Sequence, residues 1–460
     1  MRNRRGASTG EMNRTVLIVT PYFAPQNHAA VFRAYKLAKY LPRFGWTPVV
    51  LTTGTNYLYN EDPELSAALP REVEVVRTSY IEPSLRGLRM ALGGKDRSFL
   101  AMHARASQQA GAADSAGDRQ PPHQYPSSWA RHLYQTVNER WLQVPDAYWT
   151  WRPGALREGL RLIRERRIPL VFTTCPPDTC NLIGMALQKP AGRWVADLRD
   201  TVGYEARLCP KNTSARNNQS RVTEATLRRA DAVTATSSSY ELIYNDLYPG
   251  IVDGKVHFIP TGLDEELLGP DNGVASGRPP YIVYAGEFLP EYSRLFFEVF
   301  AAAVKNDRLR DMRLTLLIVG DLSVNQPRIS EKIRGLGLKG HIELIDQLPQ
   351  REMYCLLRNA RAAVLLAGRS SRWTTNYAKM VDYIALRKPV LAMVPDPSEA
   401  RKWLSRTNLG VFLDGPVEQC ASALVDFCLG NIKLPPPNAE ECERYTASAQ
   451  AEAFVKVFEN

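Results

Sequence analysis

Nowhere in the 460-residue chain is there a run of about 18 apolar residues, so no segment has the length to span a bilayer as a helix. Cysteine is scarce: seven, an odd number, are scattered without C-x-x-C spacing. That excludes a disulfide framework of the usual kind and is expected of free thiols in a reducing compartment, with Cys175 and Cys180 in or beside a strand end. Zinc-finger spacing and RNP-like aromatic motifs are absent, which ranks nucleic acid last among partners. The basic opening MRNRRGASTGEMNR has no apolar h-region, so residues 1–13 read as a flexible tail and not as a signal peptide. G-x-G-x-x-G does not follow the first strand, which argues against a dinucleotide site of the usual kind.

What is present suits a globular protein of two domains. Apolar residues make up 44% and charged residues 23%, both ordinary, and the length exceeds what one core organises. The net charge of +10 is unevenly shared: residues 1–270 hold 34 Lys and Arg against 26 Asp and Glu, leaving +2 for the rest. A basic first half points to an anionic partner, such as a membrane surface or a lipid diphosphate. The expected location is the cytosol, with the inner membrane face as a peripheral site.

Apolar runs of strand length alternate with helical periodicity. TVLIVT at 15–20, a helix from Ala29 to Arg43 ended by Gly45, and TPVVLTT form a βαβ unit, which implies a parallel sheet. An Arg-rich helix follows at 154–167, then PLVFTTCPPDT and WVADLRD, each a strand running into a polar loop, and VHFIPTGLD. GPDNGVASGRPP, within 269–280, is rich in Gly, Pro and Ser and reads as a linker between domains at 14–268 and 281–435. YIVYAG, LTLLIVG, HIELI and AAVLLAG continue the pattern as a second parallel sheet. C-terminal helices are expected at 416–429 and 438–458, with residues 436–460 returning to the first domain. Ligands in such sheets gather at the carboxyl ends of the strands.

Residues 83–128 lose this periodicity. PSLRGLRMALGGK is a short basic amphipathic turn, with Leu85, Leu88 and Leu92 among Arg86, Arg89 and Lys95. The segment at about 104–128 is small, polar and Pro-bearing, a disordered insert. The aromatic WARHLYQTVNERWLQVPDAYWTW behind it is either a helix packed on the core or a lip facing a membrane or acceptor.

The working end is placed at RSSRWTTNYAKMVDYIALRKPVLAMVP, residues 369–395. Thr374 or Thr375 can cap a helix whose buried stripe is Tyr377, Met380, Val381 and Ile384. Ala378, Asp382 and Ala385 form a second face with one carboxylate, and VLAMV is a strand buried on both sides. A helix start beside a strand end suits an anion. On periodicity alone this is an ordinary helix–strand unit with a solvated aspartate.

The segment N-Y-A-K-M-V-D-Y-I-A-L-R-K-P-V-L-A resembles the nucleotide-sugar segment of family 4 glycosyltransferases. P-Y-F-x-P, R-A-Y-K-L-A-K-Y-L, TTCPPD, DLRD and I-P-T-G-L-D resemble other parts of that family in the same order, with near matches among members that build bacterial surface polysaccharide. The resemblance implies an α/β fold of two Rossmann-like parallel-sheet domains facing across a cleft (GT-B). It implies a retaining enzyme that moves a sugar from a nucleotide diphosphate sugar to a saccharide or lipid-linked acceptor. The donor would be held by Gly286, Arg294, Thr375, Asn376, Lys379 and Asp382, with Asp382 on the ribose. Arg33 and Arg199 would lie on the acceptor side, and Asp200 and His28 would be the catalytic residues. His28 has a solvated-loop or helix-start contact as its plainer reading, and Arg199–Asp200 a loop-tying pair. Thr374 stands where many relatives have Glu, Glu287 where they have Arg, and His28-Ala29-Ala30 where they have a Gly pair. Asp-x-Asp, the metal motif of the other glycosyltransferase fold, is absent, so no cofactor and no catalytic metal are expected. Two other readings stay open: a GT-B protein with a decayed donor site serving as a binding or scaffold partner, and a sugar-nucleotide epimerase.

Overall fold

The computed structural model describes residues 13–55, 61–84, 87, 144–200, 213–269, 277–286, 290–320, 322, 326–367 and 377–460. The expectations for residues 1–12, for most of the basic turn, for the insert, for 270–276, for Glu287 and for Thr374, Thr375 and Asn376 lie outside them. The chain divides into two compact units. One comprises Met1–Ala235, Tyr240–Phe258 and Phe454–Asn460, the other Thr236–Ser239 and Ile259–Ala453.

The first unit is built on seven strands: β1 (Thr15–Val19), β2 (Thr47–Thr53), β3 (Glu74–Thr78), β4 (Leu170–Cys175), β5 (Arg193–Leu198), β6 (Ala232–Ala235) and β7 (Val256–Phe258). They lie in the order β3-β2-β1-β4-β5-β6-β7, and each pair is parallel. Val16 sits beside Pro48 on one side and Leu170 on the other, which makes β1 central. Continuous apolar runs serve here because helices cover both faces of a parallel sheet, and β1, β2 and β4 are buried almost throughout. β3 is only half-buried, as an edge strand is, and its short mixed pattern escaped the apolar-run criterion. The first helix is shorter than the sequence suggests, Phe32–Tyr40, because the chain tightens into a 3₁₀ turn over Leu41–Phe44 at Pro42. Gly184, on the helix Asp178–Ala191, lets the indole of Trp194 lie close. A Cβ there would stand 2.4 Å from its Nε1, which donates to Thr173 Oγ1 at 2.9 Å.

The second unit has β8 (Tyr281–Ala285), β9 (Thr315–Val319), β10 (Ile342–Ile345), β11 (Ala362–Leu366), β12 (Val390–Met393) and β13 (Gly410–Phe412). The order is β10-β9-β8-β11-β12-β13, again all parallel. Its core joins Phe296, Phe297 and Phe300 to Leu316, Ile318, Val364 and Leu391.

One C-terminal helix over 438–458 is not formed; the segment makes two, Ala439–Glu443 and Ala447–Glu459. Between them Thr446 bridges Leu263, and the Glu265 carboxylate accepts from the N–H groups of Ala447 and Ser448 at 2.9 Å each. An acidic cap on fresh N–H groups fixes a new helix start there. Phe454 and Phe458, on the last turns, pack against Phe172 within the first unit.

Candidate functional site

Both sheets are wound outward in two directions from a central strand. The order reverses between β1 and β4 in the first and between β8 and β11 in the second. Crevices form at the carboxyl ends of strands at such switch points, where ligands of open α/β sheets are bound.

At the switch point of the second sheet, Gly286 follows β8 with φ +105°, a conformation that side chains oppose. Its N–H donates to Val319 O at 2.7 Å. The Lys379 ammonium lies 3.7 Å from the centre of the Tyr284 ring, and a Cβ placed on Gly286 would be 3.5 Å from Nζ. Two of the expected donor residues are thus brought together. Lys379 belongs to the helix Ala378–Ala385, whose Met380, Val381, Tyr383 and Ile384 are buried as one face. Asp382, three residues on, is half-buried, and its Oδ1 accepts from the Tyr354 hydroxyl at 3.2 Å. Tyr354 in turn accepts from Gln350 Nε2 at 2.6 Å. Burial, then the nearby Asp382 charge, pushes the Tyr354 phenol well up, so it stays a donor. Tyr354 was not legible as a site residue: a tyrosine in an amphipathic helix reads as core.

Two expectations here change. The helix cap is Tyr377, with no side-chain capping bond, where a threonine cap is expected from the sequence. Tyr377 is the last residue with extended backbone, two positions later than the threonine pattern suggested. Arg294 makes no contact with Gly286 or Lys379; its side chain is 79% exposed and pairs with Glu298 one helical turn on.

At the switch point of the first sheet, the loop after β1 meets the ends of β4 and β5. Arg199 donates to Ala30 O at 2.9 Å and to Pro176 O, and its guanidinium is 5.9 Å from the Tyr22 ring centre. It ties the two loops together through main-chain oxygens. His28 lies against the same Tyr22, with ring centroids 6.1 Å apart. Burial, then Arg199, lowers the His28 pKa. Its Nδ1 accepts from the Ala30 N–H at 3.2 Å, which assigns the ring proton to Nε2 and makes His28 a donor toward any ligand. Asp200 is exposed as a residue, yet desolvation of its carboxyl raises its pKa against the pull of Arg199. Arg33 is not at this surface. Its guanidinium is 3% exposed and grips Asp197 in two bonds of 2.8 and 2.7 Å, while Thr174 and Thr234 complete the carboxylate. Arg33, the second residue of the helix Phe32–Tyr40, faces Asp197 on β5, which places it beneath the site.

Sequence reasoning missed two carboxyl groups on this edge. Asp146 accepts from Thr179 N at 2.7 Å, Thr179 Oγ1 at 2.8 Å and Tyr148 N at 2.7 Å, so it caps the helix Asp178–Ala191 from a distant loop. Asp178, in the first turn of that helix, accepts only the Cys175 thiol, at 3.3 Å, among the described residues. Burial raises its pKa to about 7, and the Asp146 charge adds to the effect.

No protein-family model and no curated protein matches this sequence. Solved structures do match. Sucrose-phosphate synthase of Thermosynechococcus elongatus superimposes with a TM-score of 0.56 at 14% identity, covering 97% of this chain and 98% of that one. HepE of Anabaena, in complex with UDP-glucose, gives 0.56 at 12%, covering 97% and 99%. The α,α-trehalose-phosphate synthase of Burkholderia xenovorans, in complex with glucose-6-phosphate, gives 0.56 at 13%, covering 97% and 100%. The fold is GT-B. At the switch point of the second unit a cation lies beside a bare glycine, and at that of the first two carboxyl groups line a cavity. Among the described residues no helix is long and apolar enough to cross a membrane.

Proposed function

We propose that this protein is a retaining glycosyltransferase that moves a sugar from a nucleotide diphosphate sugar to a saccharide or lipid-linked acceptor, in the synthesis of a cell-surface polysaccharide. The observation that carries the reading is the approach of Lys379 to Gly286 at the switch point of the second sheet, with Asp382 three residues on in the same helix. Gly286 presents backbone without a side chain, so a diphosphate can approach it. Lys379, held over the Tyr284 ring, supplies the positive charge for the leaving diphosphate. Asp382, steadied by Tyr354, accepts from the ribose hydroxyls. Thr375 and Asn376, outside the described residues, are assigned to the same anion by the resemblance. The UDP-glucose held by the similar HepE supports a nucleotide-sugar donor. In a retaining transfer the departing diphosphate itself takes the acceptor proton on the same face. The residues then need only position both substrates in a dry site and stabilise the developing charge. His28 serves as a hydrogen-bond donor on the acceptor side, and Asp200 follows Arg199, which bonds the main chain of the His28 loop at Ala30. No metal enters this scheme.

The pairing of Arg294 with Glu298 favours one competing reading, a GT-B protein that has lost its donor and acts as a scaffold. A thermal shift with UDP, GDP and ADP separates the two. At 100 times its dissociation constant a bound nucleotide stabilises by about 2.7 kcal/mol. A shift with one of them is expected, and silence with all three supports the scaffold.

A further inference from the structure

At the switch point of the first sheet there is a cavity of about 230 Å³, lined by Tyr22, Asp146, Tyr148, Pro176, Asp178 and Gln219. Every lining residue belongs to the first unit. Its two carboxyl groups are in opposite conditions. Asp146 has its oxygens filled by three donors and acts as a helix cap. Asp178 is 4% exposed and lines the cavity, yet among the described residues the weak thiol of Cys175 is its one hydrogen-bond donor and no cation pairs with it. A buried carboxyl left in that state costs stability unless a ligand or its own proton completes it.

The charged and titratable groups around Asp178 are few. Cys175 comes from the end of β4, and burial holds it a thiol, while Asp146 comes from the preceding loop. Arg199, on the same edge, is directed to main-chain oxygens. With its pKa near 7 the Asp178 carboxyl retains its proton for a large part of the neutral range, so it offers one donor and one acceptor. The other wall is aromatic. Tyr22 and Tyr148 meet edge to face at 5.4 Å, and Tyr80 stacks behind Tyr148 at 4.9 Å.

This chemistry disfavours an anion, because Asp146 faces the space and no Lys or Arg is among its described lining residues. It gives a cation little, since Asp146 is already saturated. A ring with hydroxyl groups to meet the Asp178 carboxyl and C–H faces to lie on the tyrosines satisfies both walls. We propose that this cavity is a subsite for one uncharged, hydroxyl-rich ring, oriented by Asp178 and seated against Tyr22 and Tyr148. On the glycosyl-transfer reading, on which its role rests, the ring is the acceptor's saccharide, and a bare lipid diphosphate is excluded from this spot.

The test is saturation-transfer NMR on the full chain at pH 6.5 with methyl α-D-glucopyranoside, methyl α-D-galactopyranoside and methyl α-D-mannopyranoside, against inorganic pyrophosphate. At least one glycoside should bind, Asp178→Leu should weaken it tenfold or more, and Asp178→Asn should stay within threefold. Tyr22→Ala supplies a second loss should Asp178→Leu fail to fold. No glycoside binding in the wild type, or glycoside binding unmoved by Asp178→Leu and Tyr22→Ala, overturns the subsite, as does pyrophosphate binding that Tyr22→Ala removes. A parallel nucleotide titration keeps the two proposals apart. Glycoside silence with nucleotide binding intact removes the subsite alone, and nucleotide silence with glycoside binding intact removes the transferase reading alone.

Discussion

Lys379 and Gly286 meet at the switch point of the second sheet, with the ammonium 3.5 Å from where a side chain on the glycine would begin. The Tyr284 ring, 3.7 Å from the ammonium, holds the cation in place without neutralising it. On the proposed reading, an anion approaches the cation and the bare backbone together.

Filling the space at Gly286 should abolish the anion site. Gly286→Val places a branched side chain at φ +105° and against the ammonium. We expect nucleotide affinity to fall at least tenfold by calorimetry. Lys379→Met, which keeps the stem and removes the charge, should cost about 1.5–3 kcal/mol, roughly 10- to 100-fold. Unchanged affinity in Lys379→Met would remove the lysine from the site.

Tyr354 acts through Asp382 and not on the ligand. Tyr354→Phe leaves the ring packed and removes one hydrogen bond from a neutral donor to the carboxylate. The expected loss is about 1 kcal/mol in nucleotide binding, less than tenfold, with little change in melting temperature. A loss as large as that of Lys379→Met would show that the hydroxyl contacts the nucleotide directly.

The buried pair beneath the first site is structural. Arg33→Met strands the Asp197 carboxylate, 0% exposed, with only two threonine hydroxyls. Breaking such a pair costs about 3–5 kcal/mol. Urea unfolding should show that loss, and a stability within 1 kcal/mol of wild type would contradict the assignment.

Asp178 makes stability depend on pH in a stated direction. Its folded pKa is raised from 3.8 to about 7, so between those values the folded chain holds a proton that the unfolded chain has released. Its contribution is therefore most favourable at low pH, declines as pH rises from about 4 to 7, and is flat above. Asp178→Asn should stabilise the protein at pH 8, on the order of 1–3 kcal/mol, and change little at pH 4. Equal effects at both pH values would mean that the carboxyl is not buried.

The sequence carried the architecture because parallel strands covered on both faces are written as unbroken apolar runs. VLIV, VVL, LVF, LLIV and VLL each became a buried strand. β3 escaped because EVVRT is an edge strand with a half-wet pattern. The site was partly legible. Lys379 and Gly286 could be paired only through the resemblance, since neither periodicity nor spacing joins a strand end to a helix so far along the chain. Arg33 was placed on the wrong side of its helix: a buried arginine is legible only once its partner Asp197, on β5, is known. Asp146 and Asp178 gave no signal, because one caps a helix far away in sequence and the other looks like an ordinary first-turn acid.

The central claim is a nucleotide-sugar site on the second unit, and Asp382 is its most direct probe. Isothermal titration of the full chain with UDP-glucose, UDP, GDP and ADP should show one nucleotide binding at a single site. Asp382→Ala should weaken that binding about 10- to 100-fold while the protein stays folded. If the wild type binds none of them, or if Asp382→Ala binds as the wild type does, the proposed site is wrong.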